Sequence, residues 1–188
     1  MKKTIILISA ILSIIFITGC TNNDTIGNTE EEILQYLNEG DFLDVIGNDN
    51  LTILDTVHID NSKIVVFVSD TGQGYLVYEK NKKGNYIMTD NKLEGIDSDD
   101  LGVTNFAVRY NHNDGLDNKY LAYLVISNGS NVSTVEMSIN NHIFNKKLKT
   151  GKPSMVLLKN VLSDDEPKKS IDFDCKYFDK NDKELEAE

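Results

Sequence analysis

From Leu51 onward the apolar residues recur at every second position, and a period of two admits a half-buried strand and little else. Leu51, Ile53, Val57 and Ile59 alternate with Thr52, Thr56 and His58. Asn61 and Ser62 mark a tight turn. Ile64 to Val68 is then apolar on both faces, as a strand covered on both sides would be. Thr71 to Gly74 turns the chain into a third strand, Tyr75 to Glu79. Asn81-Lys82-Lys83-Gly84 reads as a hairpin loop with glycine where a positive φ is wanted, and Tyr86 to Met88 follows. The pattern predicts a four-stranded antiparallel meander.

Asn91 to Gly102 is polar and acidic and predicts a linker or long loop. Beyond it the same style returns. Thr104, Phe106, Val108 and Tyr110 alternate, Asn111 to Asn118 is a loop, and Tyr120 to Ile126 is apolar on both faces. Asn128-Gly129 turns the chain, and strands follow at Val135–Ile139, Ile143–Leu148, Met155–Val161 and Ile171–Tyr177. Six short strands separated by turns resemble an immunoglobulin-like β-sandwich. Upstream, Thr29 and Glu32 have the spacing of a capping box, and Glu30 to Glu32 suit the positive end of a helix dipole. Ile33, Leu34 and Leu37 give that helix one apolar face, and Gly40 stops it. The expected fold class is therefore mainly β within α+β: one N-terminal helix, an antiparallel four-stranded meander, then an immunoglobulin-like β-sandwich.

The first twenty residues carry a different message. Lys2 and Lys3 precede an almost unbroken aliphatic run, Ile5 to Ile17, interrupted by Ser9 and Ser13. A membrane-spanning helix needs about 20 apolar residues, and this run is shorter. A charged start followed by a short apolar stretch is the order of a secretory signal. It ends Ile17-Thr18-Gly19-Cys20. This segment resembles the lipobox of bacterial lipoproteins. The resemblance implies cleavage between Gly19 and Cys20, a diacylglycerol on the Cys20 sulfur, and an N-acyl chain that is often added to the new α-amine. One acyl chain holds a protein to a bilayer only marginally, and two or more make a stable tether. The resemblance covers residues 1–20 alone. Together with the helix and strand pattern read above, it gives an expected organisation of 1–19 signal peptide, 20–28 flexible tether, 29–100 helix plus antiparallel β unit and 101–188 β-sandwich domain. It also implies the outer face of the cytoplasmic membrane, with the wider composition, rich in Asn, Lys and Ile, resembling small Gram-positive lipoproteins.

Composition narrows the function classes. The net charge is −11, and removal of a leader bearing Lys2 and Lys3 makes the remainder more acidic still. Arg109 is the single arginine. Nucleic acid demands clustered Lys and Arg, so it is excluded as a partner. The chain has two cysteines, and if Cys20 carries the lipid, as the resemblance implies, Cys175 has no disulfide partner.

The candidate sites divide as follows. Asp97, Asp99 and Asp100 sit in an oxygen-rich loop closed by Gly102, and calcium wants about six to eight oxygens. Leu101 occupies a ligand position there and no helix flanks the loop, so turn chemistry is preferred and no metal is expected. Asn111 to Asp117, and Asp179 with Asn181 and Asp182, read the same way. His58, His112 and His142 show no zinc spacing. Cys175 lies in phase with Ile171, Phe173 and Tyr177 and reads as a small buried hydrophobe. Lys149-Thr150-Gly151 matches one motif of penicillin-recognising serine enzymes, but no serine has a lysine three positions on. Lys146, Lys147, Lys149 and Lys152 form a basic cluster that could contact an envelope protein or anionic wall polymer. The competing reading is an edge strand guarded against self-pairing. Most strand tyrosines should face the core.

No catalytic motif emerges, so the expected function is non-enzymatic: a membrane-anchored binding or interaction module of the cell envelope. Two alternatives stay open, a small-ligand or calcium-binding lipoprotein and an envelope enzyme without a recognisable motif.

Overall fold

The computed structural model describes residues 26–39, 42–47, 49–97, 100–111, 119–159 and 171–186. Gly19, Cys20, Asp99 and His112 lie outside the described residues, as do the rest of the leader and most of the Asn111–Asn118 loop. Within the described residues the chain is mainly β, with three antiparallel sheets and two short helices. Helix α1 spans Glu30–Glu39 and the single turn α2 spans Leu43–Ile46. No helix among the described residues is long and apolar enough to cross a membrane.

The first sheet is a meander in the order β1 (Thr52–Ile59), β2 (Ser62–Val68), β3 (Gly72–Lys80), β4 (Tyr86–Gly95). The second is three-stranded, in the order β5 (Val103–Asn111), β6 (Lys119–Asn128), β9 (Pro153–Lys159). The third is four-stranded, with β11 (Glu184–Leu185), β10 (Phe173–Phe178), β7 (Thr134–Ile139) and β8 (His142–Lys147) in that order.

These sheets stack in layers, and the side-chain period shows how. On β2, Ile64, Val66 and Val68 pack with Phe106, Val108, Tyr110, Leu124 and Ile126 of the second sheet. The alternate residues Val65 and Phe67 pack instead with Ile33 and Leu37 of α1 and Ile46 of α2. On β6, Ala122, Leu124 and Ile126 face the meander, while Tyr123 and Val125 face Val135, Met137 and Tyr177 of the third sheet. The two runs expected to be apolar on both faces are thus the two strands covered on both sides. The layer order is helices, first sheet, second sheet, third sheet. Polar bonds cross the layers as well: Gln73 Nε2 donates to Thr104 Oγ1 at 2.7 Å, Ser62 Oγ to the Asn111 carbonyl at 3.0 Å, and Asn105 Nδ2 to the Tyr177 hydroxyl at 3.1 Å.

Two bulges alter the alternation read along the chain. On β1 the register shifts between Ile53 and Asp55. Leu51 and Ile53 therefore pack on the helix side, while Val57 and Ile59 pack on the second sheet, although simple alternation places all four on one face. On β4, Met88 pairs with Tyr78 and Asp90 with Val77, which leaves Thr89 as an extra residue. The expected linker Asn91–Gly102 is also shorter than its composition suggests. Asn91 to Gly95 continue β4, paired with Gly72 to Leu76. They are polar because β4 is a sheet edge, with Asn91, Lys92, Glu94 and Gly95 exposed.

Where the N-terminal segment meets the body it is tightly held. Glu32 Oε2 accepts from the backbone N–H of Gly27, Asn28 and Thr29, and Thr29 Oγ1 accepts from the Glu32 N–H at 3.2 Å. These bonds hold the Glu32 carboxyl below its ordinary pKa. Lys63, buried on β2, donates its ammonium to the Gly27 carbonyl. Gly27, at φ +148°, lies so close to the Tyr78 ring that no side chain fits there. Gly27 and Asn28 thus belong to the folded body.

Candidate functional site

A cleft of about 440 Å³ opens where the edge strand β4 of the first sheet meets the edge strand β5 of the second. That volume lies within the range of small-molecule sites, about 300–1,000 Å³. The Thr89 bulge decides what lines it. Tyr86 and Met88 pack on the helix side, and without an extra residue Asp90 and Lys92 would follow them there. The bulge reverses the phase, so Asp90 and Lys92 pair with Val77 and Tyr75 and share the face that looks toward the second sheet. A bulge next to a site commonly re-aims side chains in this way.

The opposite wall comes from β5. Phe106, Val108 and Tyr110 are buried, so the intervening Ala107 and Arg109 are exposed. Arg109 pairs across the sheet with Leu121, and both line the cleft with Ala107 and Ile171. Among the described residues the lining therefore carries two cations, one carboxylate, one carboxamide, one phenol and a small apolar wall.

Hydrogen bonds fix the carboxylate. Asp90 Oδ1 accepts from the Asn91 backbone N–H at 3.0 Å, and Oδ2 accepts from the Tyr75 hydroxyl at 3.4 Å. Burial, reinforced by the adjacent Asp90 charge, pushes the Tyr75 phenol up to about 12, against the pull of Arg109. The phenol therefore stays protonated and donating at neutral pH. Lys92 Nζ stands 5.4 Å from the centre of the Phe106 ring, a cation–π arrangement. Arg109 is exposed, and among the described residues its guanidinium forms no hydrogen bond or ion pair. Among the described residues the lining contains no serine, cysteine or histidine.

The residues singled out by sequence fall elsewhere. Asp97 and Asp100 close a turn on each other: Asp100 Oδ2 accepts from the Asp97 N–H at 3.1 Å, and the Asp100 N–H donates to the Asp97 carbonyl. Asp179 Oδ1 accepts from the N–H groups of Asn181 and Lys183 at the β10–β11 hairpin. Both are the turn chemistry of short acids. Among the described residues no group of three or more His, Cys, Asp or Glu could hold a metal. His58 lies on β1 with its Nδ1 3.3 Å from the Tyr86 hydroxyl, and His142 opens β8. Cys175 pairs with Met137 in the third sheet, and burial pushes its thiol up to about 12, which leaves it unreactive at neutral pH.

The lysine cluster is at an edge. β8 is the terminal strand of the third sheet. Lys146 and Lys147 pair with Val135 and Thr134 and so point to opposite faces, while Lys149 and Lys152 flank the following turn. Lys147 Nζ donates to Thr134 Oγ1 at 2.8 Å. Four cations distributed in this way guard an edge better than they form one docking face. Of the strand tyrosines, Tyr75, Tyr78, Tyr110, Tyr123 and Tyr177 are buried.

Arg109, Asp90, Lys92 and Tyr75 were not legible as a set. Arg109 is visible in the sequence as the lone arginine on the exposed phase of an alternating strand, and that signal marks it as surface. Asp90 and Lys92 belong to no motif, and the extra residue that turns them has no sequence signature. No family model matches this chain, and no curated protein or solved structure does either.

Proposed function

We propose that this chain is a lipid-anchored binding module on the outer face of a Gram-positive-type cytoplasmic membrane. In this reading the leader is cut between Gly19 and Cys20, and Cys20 carries the diacylglycerol. The observation that carries the binding role is the mixed-charge cleft between β4 and β5, whose lining brings Arg109 and Lys92 together with the hydrogen-bonded carboxylate of Asp90. Support for the anchor comes from the charged start, the short apolar run and the Gly19-Cys20 pair, all within twenty residues. The grip on Gly27 leaves only residues 21–26 between Cys20 and the body. Six residues reach at most about 20 Å, so the module would work close to the bilayer. The stacking of a three-stranded sheet on a four-stranded one supports an immunoglobulin-like arrangement for 101–188.

Growth of an expressing Gram-positive host with labelled palmitate tests the anchor. The expected result is label on the wild-type protein and none on Cys20→Ala, which should accumulate unprocessed or in the medium. Equal labelling of both, or of neither, would refute it.

A further inference from the structure

We infer that the cleft between β4 and β5 binds a small zwitterion of the amino-acid or short-peptide class, with its carboxylate on Arg109 and Lys92 and its ammonium on Asp90. The inference deepens the binding reading above and rests on the cleft being the binding site.

The argument is one of charge complementarity. A planar guanidinium presents paired donors that match a carboxylate, and no described group occupies those of Arg109. Lys92 adds a second cation on the facing strand. A ligand bearing only negative charge would meet Asp90, whose two oxygens are held in place by Tyr75 and the Asn91 N–H. A ligand bearing only positive charge would meet Arg109 and Lys92. Like charges brought together in a partly desolvated cleft cost affinity, so the lining discriminates against both. A molecule carrying both signs satisfies both walls. Each Asp90 oxygen still has a lone pair to offer an ammonium after accepting its one bond. Ala107, Leu121 and Ile171 supply an apolar surface for a small side chain. About 440 Å³ accommodates one amino acid or a dipeptide and its water.

The test uses the full-length chain in detergent micelles and alanyl-alanine as the probe. Backbone amide NMR shifts at residues 90–92 and 107–109 report the site, and calorimetry gives the affinity. Saturable shifts at those amides are expected. Nα-acetyl-alanyl-alanine, which lacks the ammonium, should bind at least tenfold more weakly. Arg109→Gln should weaken alanyl-alanine at least tenfold. In Asp90→Asn the free and acetylated dipeptides should bind equally. Both residues lie on a sheet edge, so unchanged far-UV circular dichroism and melting temperature verify the fold of each variant. Absence of saturable shifts with alanyl-alanine, or an Arg109→Gln affinity equal to wild type, would overturn the inference. Equal wild-type affinity for the free and acetylated dipeptides would overturn the zwitterion while leaving a binding site in place. The palmitate result is independent of all three.

Discussion

Lys63 is an ammonium at 4% exposure on a strand whose neighbours are Ile64, Val65 and Val66. Its Nζ donates to the Gly27 carbonyl and lies 4.2 Å from the centre of the Tyr86 ring and 5.1 Å from that of Tyr78. Burial lowers its pKa below 10.5, and the Glu32 carboxylate offsets part of that shift. The sign follows directly. Between the lowered value and 10.5 the native chain binds fewer protons at this site than the unfolded chain, so stability rises with pH across that window. Above pH 10 the raised pKa values of Tyr75, Tyr78 and Tyr177 act in the opposite direction. The effect is therefore read below pH 10, as the difference between wild type and Lys63→Met in urea midpoints. That difference should shift in favour of wild type as pH climbs, and a pH-independent difference would show that Lys63 carries no shift. The capping box was legible at this scale because both partners lie within four residues. The buried lysine was not, because its acceptor is Gly27, thirty-six residues upstream, and only the folded sheet brings them together.

Strands and their order were legible wherever hydrophobic runs stood between turn residues, which covers the meander and the two central strands. Phase within a strand was not, because one extra residue inverts it without changing composition. β4 offers the direct check. Deletion of Thr89 would restore plain alternation and carry Asp90 and Lys92 round to the helix side, against Leu37 and Phe67. The expected outcome is loss of alanyl-alanine shifts together with a destabilisation of about 2–4 kcal/mol, since charged groups would replace apolar contacts. A deletion variant with wild-type stability and binding would show that the bulge has no such role. β8 offers a second check. It is an exposed edge, and Ile143 on it is 61% exposed, more than any other large described hydrophobic. If Lys146 and Lys147 protect that edge, Lys146→Thr with Lys147→Thr should produce concentration-dependent self-association in sedimentation velocity. A monomeric double variant would contradict this and return the cluster to a partner-binding role.

Across the whole molecule, β5, β6 and β9 form the layer that both other sheets share. Composition suggests a boundary near residue 100, whereas Val66, Tyr75 and Val77 before it pack directly on Phe106, Val108 and Leu124 after it. Side-chain contacts of that range leave no local trace in sequence. Leu124, fully buried on the meander side of β6, is the natural probe. Leu124→Ala should cost about 2–5 kcal/mol, and thermal unfolding followed by tyrosine fluorescence and far-UV circular dichroism should remain one coincident transition. Two separated transitions, with only one shifted, would show that the sheets melt independently. The grip on Gly27 also has a mechanical meaning. A tug on the front of the chain is met first by a lysine ammonium, a carboxylate that takes three amides, and an aromatic ring pressed on bare backbone. The meander would feel that force only after those contacts had let go, so they act as a fuse between whatever hauls on the terminus and the strands that frame the cleft.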